Sequence, residues 1–422
     1  MVVNGTRSLL EILAPITRPA PTSTGTDLQQ LRRWNRLLVL NCIREQRGIS
    51  RAEVAGLVGL SRPAVSNIVD GLMQDGLLLE AASPLPSQGQ RGRTIPLHFN
   101  AQAGTIIGVD MGRNHLTVVI SDLAAEILAQ VSRPFAMSRG PEICLMELDA
   151  SVRDLVQAQG VDWETIIGIG VGMPGPLDAT LSFPVAPPGM PEWDGMPLRE
   201  RLRESLGVPV YLDNNANMGA LGENRYGCAR QVANLLYLKL DSGIGCGFII
   251  DKHLYRGGNG SAGEIGHIPI ALDGVRCICG NRGCLETVAS IEAIITAAQQ
   301  GASHFDTFEE VIDAAQKGNM ACLAALAQAG QAIGIALATV VNTFNPTMIV
   351  LDGKTMTANE LLLTPTRLGI AAHSLAAPWA HAQVVRGTLA SQAVSLGAVA
   401  TVLDSVFLGS SPNTYVSLLT SE

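Results

Sequence analysis

Three stretches of helical spacing open the chain. After Leu28, QQLRRWNRLLVLNCIREQ places Leu31, Trp34, Leu37, Leu38, Val39 and Ile43 at the period of a helix face. SRAEVAGLVGL follows, with Ser50 and Glu53 spaced as a capping box and Gly59 as its end. SRPAVSNIVDGLMQDG starts on Ser61 as a cap and stops at Gly76. Pro63 falls in its first turn, where a missing N–H costs nothing. Ala55, Leu60, Val65, Ile68, Val69 and Leu72 predict the side on which these helices pack. LLLE and TIPLHFN then read as two short strands around the arginine-bearing turn SPLPSQGQRGR.

At Ala101 the pattern changes. GTIIGVDMG, HLTVVISD, WETIIGIGVGMPG, VPVYL, NLLYLKLDSGIGCGFII and MIVLDGK read as buried strands, several of them running into glycine turns. Helical stretches lie between them, notably over 290–345. Such alternation predicts an α/β body with ligands at the strand tips. The strand–turn pairs near 104–112 and 236–247 predict two lobes facing a cleft. The chain therefore divides into a flexible tail over 1–27, which carries Pro15, Pro19 and Pro21, a head over 28–100, and a two-lobed body over 101–422. AGQAIGIALATVVNTF, interrupted by Gln331 and Asn342, reads as too short to span a bilayer. The first residues lack the pattern of a secretory signal. Both features predict a cytoplasmic chain with no membrane partner.

Charge sharpens the division. Residues 1–100 hold 11 Arg, no Lys and seven acidic residues, a net +4, while the remainder holds 18 basic and 30 acidic residues, a net −12. A basic head suits a polyanionic partner. The second and third helices have the order of a helix-turn-helix, and the strand pair with its arginine turn completes a winged one. Ser61, Arg62, Pro63, Ser66 and Asn67 then lie on the first turns of a recognition helix in the major groove of double-stranded operator DNA. Arg91 and Arg93 lie on the wing tip, placed to enter the minor groove or clamp phosphates. The competing reading is a small helical interaction domain that binds no DNA.

Five of the eight cysteines are scattered and three cluster. His267-x9-Cys277-x-Cys279-x4-Cys284 supplies three thiolates and an imidazole, the closed tetrahedral shell of a structural Zn2+. Buried thiols or a redox pair are the alternatives. Nearby stand Glu264, Glu286, and Asn214 with Asn215 in YLDNNAN. With His267 they offer the donor and acceptor mix that sugar hydroxyls need. For Asp213–Asn215 a plain helix cap is the rival reading.

These motifs resemble those of the ROK family of repressors, open reading frames and sugar kinases, specifically its regulator branch. The carriers are DMG at 110–112, GVGMPGPLD at 170–178, DNNAN at 213–217, LDSGIGCGF at 240–248, GNGSAGEIGH at 258–267 and CICGNRGCLE at 277–286. The resemblance spans about residue 28 to the C-terminus. It implies a winged helix-turn-helix followed by an actin-like two-lobed sugar-kinase fold, zinc on the four ligands named, and a sugar or sugar-derivative effector held by Asn214, Asn215, Glu264, His267 and Glu286. It also implies a homodimer or tetramer.

The resemblance further implies lost kinase activity. Asn215 stands where the kinases place a general-base Asp, and Arg113 stands where they place a phosphate-side glycine. Asp352–Gly353 puts a negative charge where they carry a glycine pair. Loss of the base alone costs roughly 10²–10⁴ in rate. Gly189 stands where many relatives carry a sugar-contacting Asn. The chain is thus expected to regulate transcription of carbohydrate metabolism rather than to act as an enzyme. The rivals are an active ATP-dependent kinase with a regulatory head, and a regulator tuned by a protein partner instead of a sugar.

Overall fold

A computed structural model describes residues 28–80, 95–301 and 304–408; the tail expected over 1–27 and the turn bearing Arg91 and Arg93 lie outside them. The head begins with α1 (Leu28–Glu45), α2 (Arg51–Val58) and α3 (Arg62–Gln74). The Ser50 hydroxyl accepts the Glu53 N–H at 3.3 Å, and the Glu53 carboxylate accepts the Ser50 N–H at 2.8 Å. Two otherwise unpaired donors are thereby satisfied where α2 starts. Gly59 ends α2 at φ +68, a left-handed conformation that a Cβ would disfavour. Ser61 caps α3 with Pro63 in the first turn. Strands β1 (Leu78–Glu80) and β2 (Leu97–Phe99) pair antiparallel, as expected for the two sides of a wing.

The first lobe contains β3 (Thr105–Met111), β4 (His115–Asp122), β5 (Ile127–Pro134), β6 (Ile166–Met173) and β7 (Val210–Asn214), in the spatial order β5-β4-β3-β6-β7. Helices α4 (Pro141–Ala158) and α5 (Leu198–Leu206) cover one face. The next helix, α6 (Asn215–Arg225), begins where β7 ends. The second lobe contains β8 (Leu235–Leu240), β9 (Ile244–Ile250), β10 (His253–Tyr255), β11 (Met348–Asp352) and β12 (Gln383–Arg386), ordered β10-β9-β8-β11-β12. The two sheets share one plan. β3 pairs antiparallel with β4 and parallel with β6, and β8 does the same with β9 and β11. Every residue of β3, β6 and β8 is buried, which explains their unbroken apolar runs in the sequence.

The second lobe also carries α7 (Glu286–Ala289), α8 (Ile291–Ala298), α9 (Phe308–Gln316), α10 (Met320–Phe344), α11 (Glu360–His373) and α12 (Ala376–His381). The expectation about the apolar segment after Ala329 needs correcting. It belongs to α10, which at 25 residues is long and apolar enough to cross a membrane, because Gln331 and Asn342 do not break the helix. More than half of its most apolar window is instead buried inside the fold, where Leu326, Ile333, Leu337 and Val341 join the core of the second lobe.

The last described helix, α13 (Ala393–Phe407), has no counterpart among the sequence expectations. Glycines let it lie directly on its neighbours. A methyl on Gly397 would collide with the Met218 carbonyl oxygen of α6, and one on Gly222 of α6 with the Ala393 carbonyl oxygen. Gly108 of β3 and Gly170 of β6 accept the same helix from the sheet side. The far end of α13 enters the head. Val399, Val402, Leu403, Val406 and Phe407 share one core with Val39, Leu40, Ile43, Val65, Val69 and Leu72. Asn41 donates to the Phe407 carbonyl at 2.7 Å, Arg44 sits 4.5 Å over the Phe407 ring, and Phe99 meets that ring edge-on. The head is thus packed onto the body rather than tethered to it.

Gly397→Ala should destabilise the protein by about 1–3 kcal/mol, because helix backbones that close cannot give way to a methyl. Denaturant unfolding of the full chain measures this. An unchanged midpoint would mean that α13 does not sit on α6 as described.

Candidate functional site

Two features meet at the mouth of the interlobe cleft: a four-residue Cys/His cluster and a polar pocket. The cluster lies on the segment after β10. A short turn ending at His267 is followed by a knuckle in which Pro269 bridges Cys284 and Arg276 bridges Arg282. Gly283, at φ +63, has no room for a side chain because a Cβ there would overlap the Ala271 carbonyl. The ligand atoms of His267, Cys277, Cys279 and Cys284 all lie within 4.8 Å of one another. The Cys277 Sγ is 3.6 Å from His267 Nδ1, and the Cys279 and Cys284 sulfurs are 3.7 Å apart. Thiolates about 2.3 Å from one tetrahedral ion stand roughly 3.7 Å apart, so the donors fit a single metal.

The pocket is lined from the first lobe by Arg113, His115, Asn214 and Asn215, and from the second by Lys239, Asp241, Glu264, His267 and Glu286. All five residues expected to hold a sugar therefore line one cavity. Their surroundings differ. Asn214 is the N-cap of α6: its Oδ1 accepts the Ala216 N–H at 2.8 Å, and its Nδ2 donates to the Gly175 carbonyl at 2.9 Å. The cap reading of this residue is therefore correct, and its pocket wall is a rigid one. Asn215 follows on the first turn of α6. Glu286 accepts the Ile244 N–H at 3.0 Å, which anchors one of its oxygens and fixes the other's direction. His267 lies between cluster and pocket, with Nδ1 on the cluster side.

Several pairings that matter here escaped the sequence reading. Asp213 is almost fully buried and receives the Arg256 guanidinium of the second lobe at 2.7 and 2.8 Å. Its other oxygen accepts the Asn214 N–H and the Asn217 amide. This ion pair ties the lobes together just behind the pocket. His115 folds back over Gly112 to bond Asp110 at 2.9 Å. Burial opposes the charge on Asp110, yet Lys239 and His115 together hold its carboxyl below the usual range. Asp213 and Asp110 lie in motifs seen in the sequence, but nothing there marks Arg256 or His115 as their partners.

In the head, Ser61, Arg62, Pro63 and Asn67 are exposed and Ser66 is half-buried, so one surface of α3 presents them together. The Ser61 hydroxyl also accepts the Ala64 N–H. Arg51 is held by Asp70 at 2.6 Å and Glu80 at 2.9 Å. It braces α3 against β1 and leaves α3 to present its own polar residues.

The comparisons with known proteins agree with this layout. The sequence profile of the ROK family matches residues 106–405, and that of winged helix-turn-helix DNA-binding domains matches 35–78. The xylose repressor of Caldicellulosiruptor bescii is 32% identical over 386 residues, covering 88% of this chain and 96% of the relative. A crystal structure of a ROK family transcriptional regulator, a homologue of the E. coli MLC protein, superposes with a TM-score of 0.76 at 25% identity, over 90% of this chain and 98% of that one. A ROK family glucokinase from Streptomyces griseus, solved with glucose and AMPPNP, superposes with a TM-score of 0.63 at 26% identity, over 70% and 98%.

One titration follows from the pocket. Burial first, and the Glu286 charge second, push the Glu264 carboxyl up to about 7, with Arg113 pulling the other way. A folded-state value above the ordinary 4.5 means that the proton stabilises the fold below 4.5 and that this stabilisation is lost as the pH climbs through about 7. Glu264→Gln cannot ionise, so without ligand it should melt above the native protein at pH 8, with the gap closing towards pH 5. Parallel melting curves at the two pH values would contradict the assignment.

Proposed function

The chain belongs to the ROK family, and from that premise we propose that it is a DNA-binding transcriptional repressor of sugar metabolism, with a sugar or sugar derivative bound in the cleft as its effector. The observation that carries this reading is coverage: the match to the xylose repressor takes in 88% of the chain, more than the body alone supplies, whereas the glucokinase superposes on 70%. Ser61, Arg62, Pro63, Ser66 and Asn67 contact operator DNA, and Arg91 and Arg93 serve as wing contacts. Asn214, Asn215, Glu264, His267 and Glu286 hold the effector. Two copies of the head, in a homodimer or tetramer, read paired half-sites about one DNA turn apart. The proposed setting is the cytoplasm.

The cleft binds without phosphorylating. Asn215 cannot take a proton from an attacking hydroxyl, although its amide can still bond one. The cluster holds a structural zinc through His267, Cys277, Cys279 and Cys284. A metal held there would close the knuckle, and His267, with Nδ1 on the cluster side, would keep its other ring nitrogen free for the effector.

Coupling runs through α6 and α13. α6 starts at Asn215 in the pocket, α13 lies backbone to backbone on α6, and the end of α13 is part of the core of the head. The Glu223 carboxylate near the end of α6 accepts the Thr388 and Leu389 N–H groups at 2.7 and 2.8 Å, which ties α6 to the segment leading into α13. A change in lobe closure therefore moves the head, and a small rotation of paired heads weakens operator binding.

Fluorescence anisotropy of the full chain on DNA from upstream of its own gene, at fixed salt, tests the function. Specific binding that one sugar shifts is the expected result. Specific binding that no sugar shifts contradicts the effector reading, and binding no tighter than to unrelated DNA contradicts the repressor reading. A coupled assay with ATP and the same sugars should show no turnover. Metal analysis should find about one zinc per chain, and Cys279→Ala should lower both metal content and melting temperature. Full metal content in that variant would remove Cys279 from the ligand set.

A further inference from the structure

Arg113 reaches across the cleft from the first lobe to the second. It follows β3 in the first lobe, and its Nη2 donates to the Pro188 carbonyl at 3.3 Å. Its Nε and Cζ lie over Gly243 of the second lobe, 3.5 and 3.8 Å from where a Cβ on that glycine would stand. Glu286 Oε2 is 3.3 Å from the same point. On the other side, Nη1 lies 3.9 Å from where a Cβ on Gly189 would stand. Two bare glycines, one per lobe, thus make the slot in which the guanidinium rests.

A guanidinium carries five N–H donors, and one of them is spent on Pro188. Carboxyl groups in the cleft outnumber its cations. Arg113 shares its side with Glu286 and acts on Glu264; Lys239 lies 4.0 Å from Asp241 and supports Asp110; His115 pairs with Asp110. Arg113 and Lys239 each have a carboxylate nearby. A phosphate or carboxylate on a ligand would meet Asp241, Glu264 and Glu286 without an uncompensated cation to offset them. A neutral polyol can instead accept from Arg113 and donate to the carboxylates at once.

We propose that Arg113 contacts the effector, supplying the donors that Gly189 cannot, in a pocket whose carboxylates favour an uncharged sugar over a phosphorylated sugar or a nucleotide. This rests on the reading of the cleft as a sugar site. Calorimetric titration of the full chain with D-xylose, D-glucose, glucose 6-phosphate and ATP tests it. The native protein should bind a neutral sugar and neither anion. Arg113→Ala should bind that sugar about tenfold to a hundredfold more weakly, the loss of a charge-assisted hydrogen bond. Arg113→Lys, which keeps the charge but not the fork, should fall between, and it carries the test where alanine does not fold. Adding Gly189→Asn to Arg113→Ala should recover part of the affinity, since Asn tolerates φ near the +74 found there and brings an amide donor. A purely structural Arg113 would give no such recovery.

Native affinity in Arg113→Ala, or tighter binding of glucose 6-phosphate than of any neutral sugar by the native protein, overturns the proposal and leaves the sugar site standing. If the native protein binds none of the four, the proposal and the sugar-site reading fall together.

Discussion

Gly397 and Gly222 allow two helix backbones to touch, and the relation between pocket and head depends on that contact. Carbonyl oxygens of α6 and α13 occupy the space where side chains would otherwise hold the helices apart. Helices at this distance cannot slide without breaking many contacts together, because interiors are packed at crystal-like density. α13 therefore behaves as part of one body with α6 and with the sheet of the first lobe. Its last turns, around Phe407, are at the same time the floor on which α1 and the β1–β2 pair rest.

The cleft shows a related economy. Residues near the strand tips of both lobes form its walls, and the buried charges just behind them are paired: Asp213 with Arg256, Asp110 with His115 and Lys239. The first of these joins the lobes directly. Buried charges left unpaired would be costly, so the ion pairs also fix which lobe arrangement is favourable. Asn214, by capping α6 and bonding Gly175, turns the pocket wall into the start of the same helix that meets α13.

Much of this was legible in the sequence. The capping box at Ser50, the left-handed stop at Gly59, the glycine-ended strands and the Cys/His spacing are local signals, and each has a local physical cause. The five pocket residues could be grouped because their motifs resemble a family pattern. What escaped was non-local. Nothing near Ala393 announces that its helix would unite head and body, since the glycines that seat it lie on β3, β6 and α6. His115 reads as the start of a strand until the hairpin folds it over Gly112, and Arg256 has no visible partner until Asp213 comes alongside. The length of α10 was misjudged because two polar residues were taken as interruptions, whereas a helix accommodates them at its exposed face.

In the proposed function, effector binding reaches the head through α6 and α13. Amide hydrogen exchange of the full chain, with and without a saturating effector sugar, tests it most directly. Altered exchange is expected at the pocket, along 215–225, along 393–407 and in α1 around Asn41. Changes confined to the pocket loops and the Cys/His knuckle, with 393–407 and α1 unaffected, would contradict it.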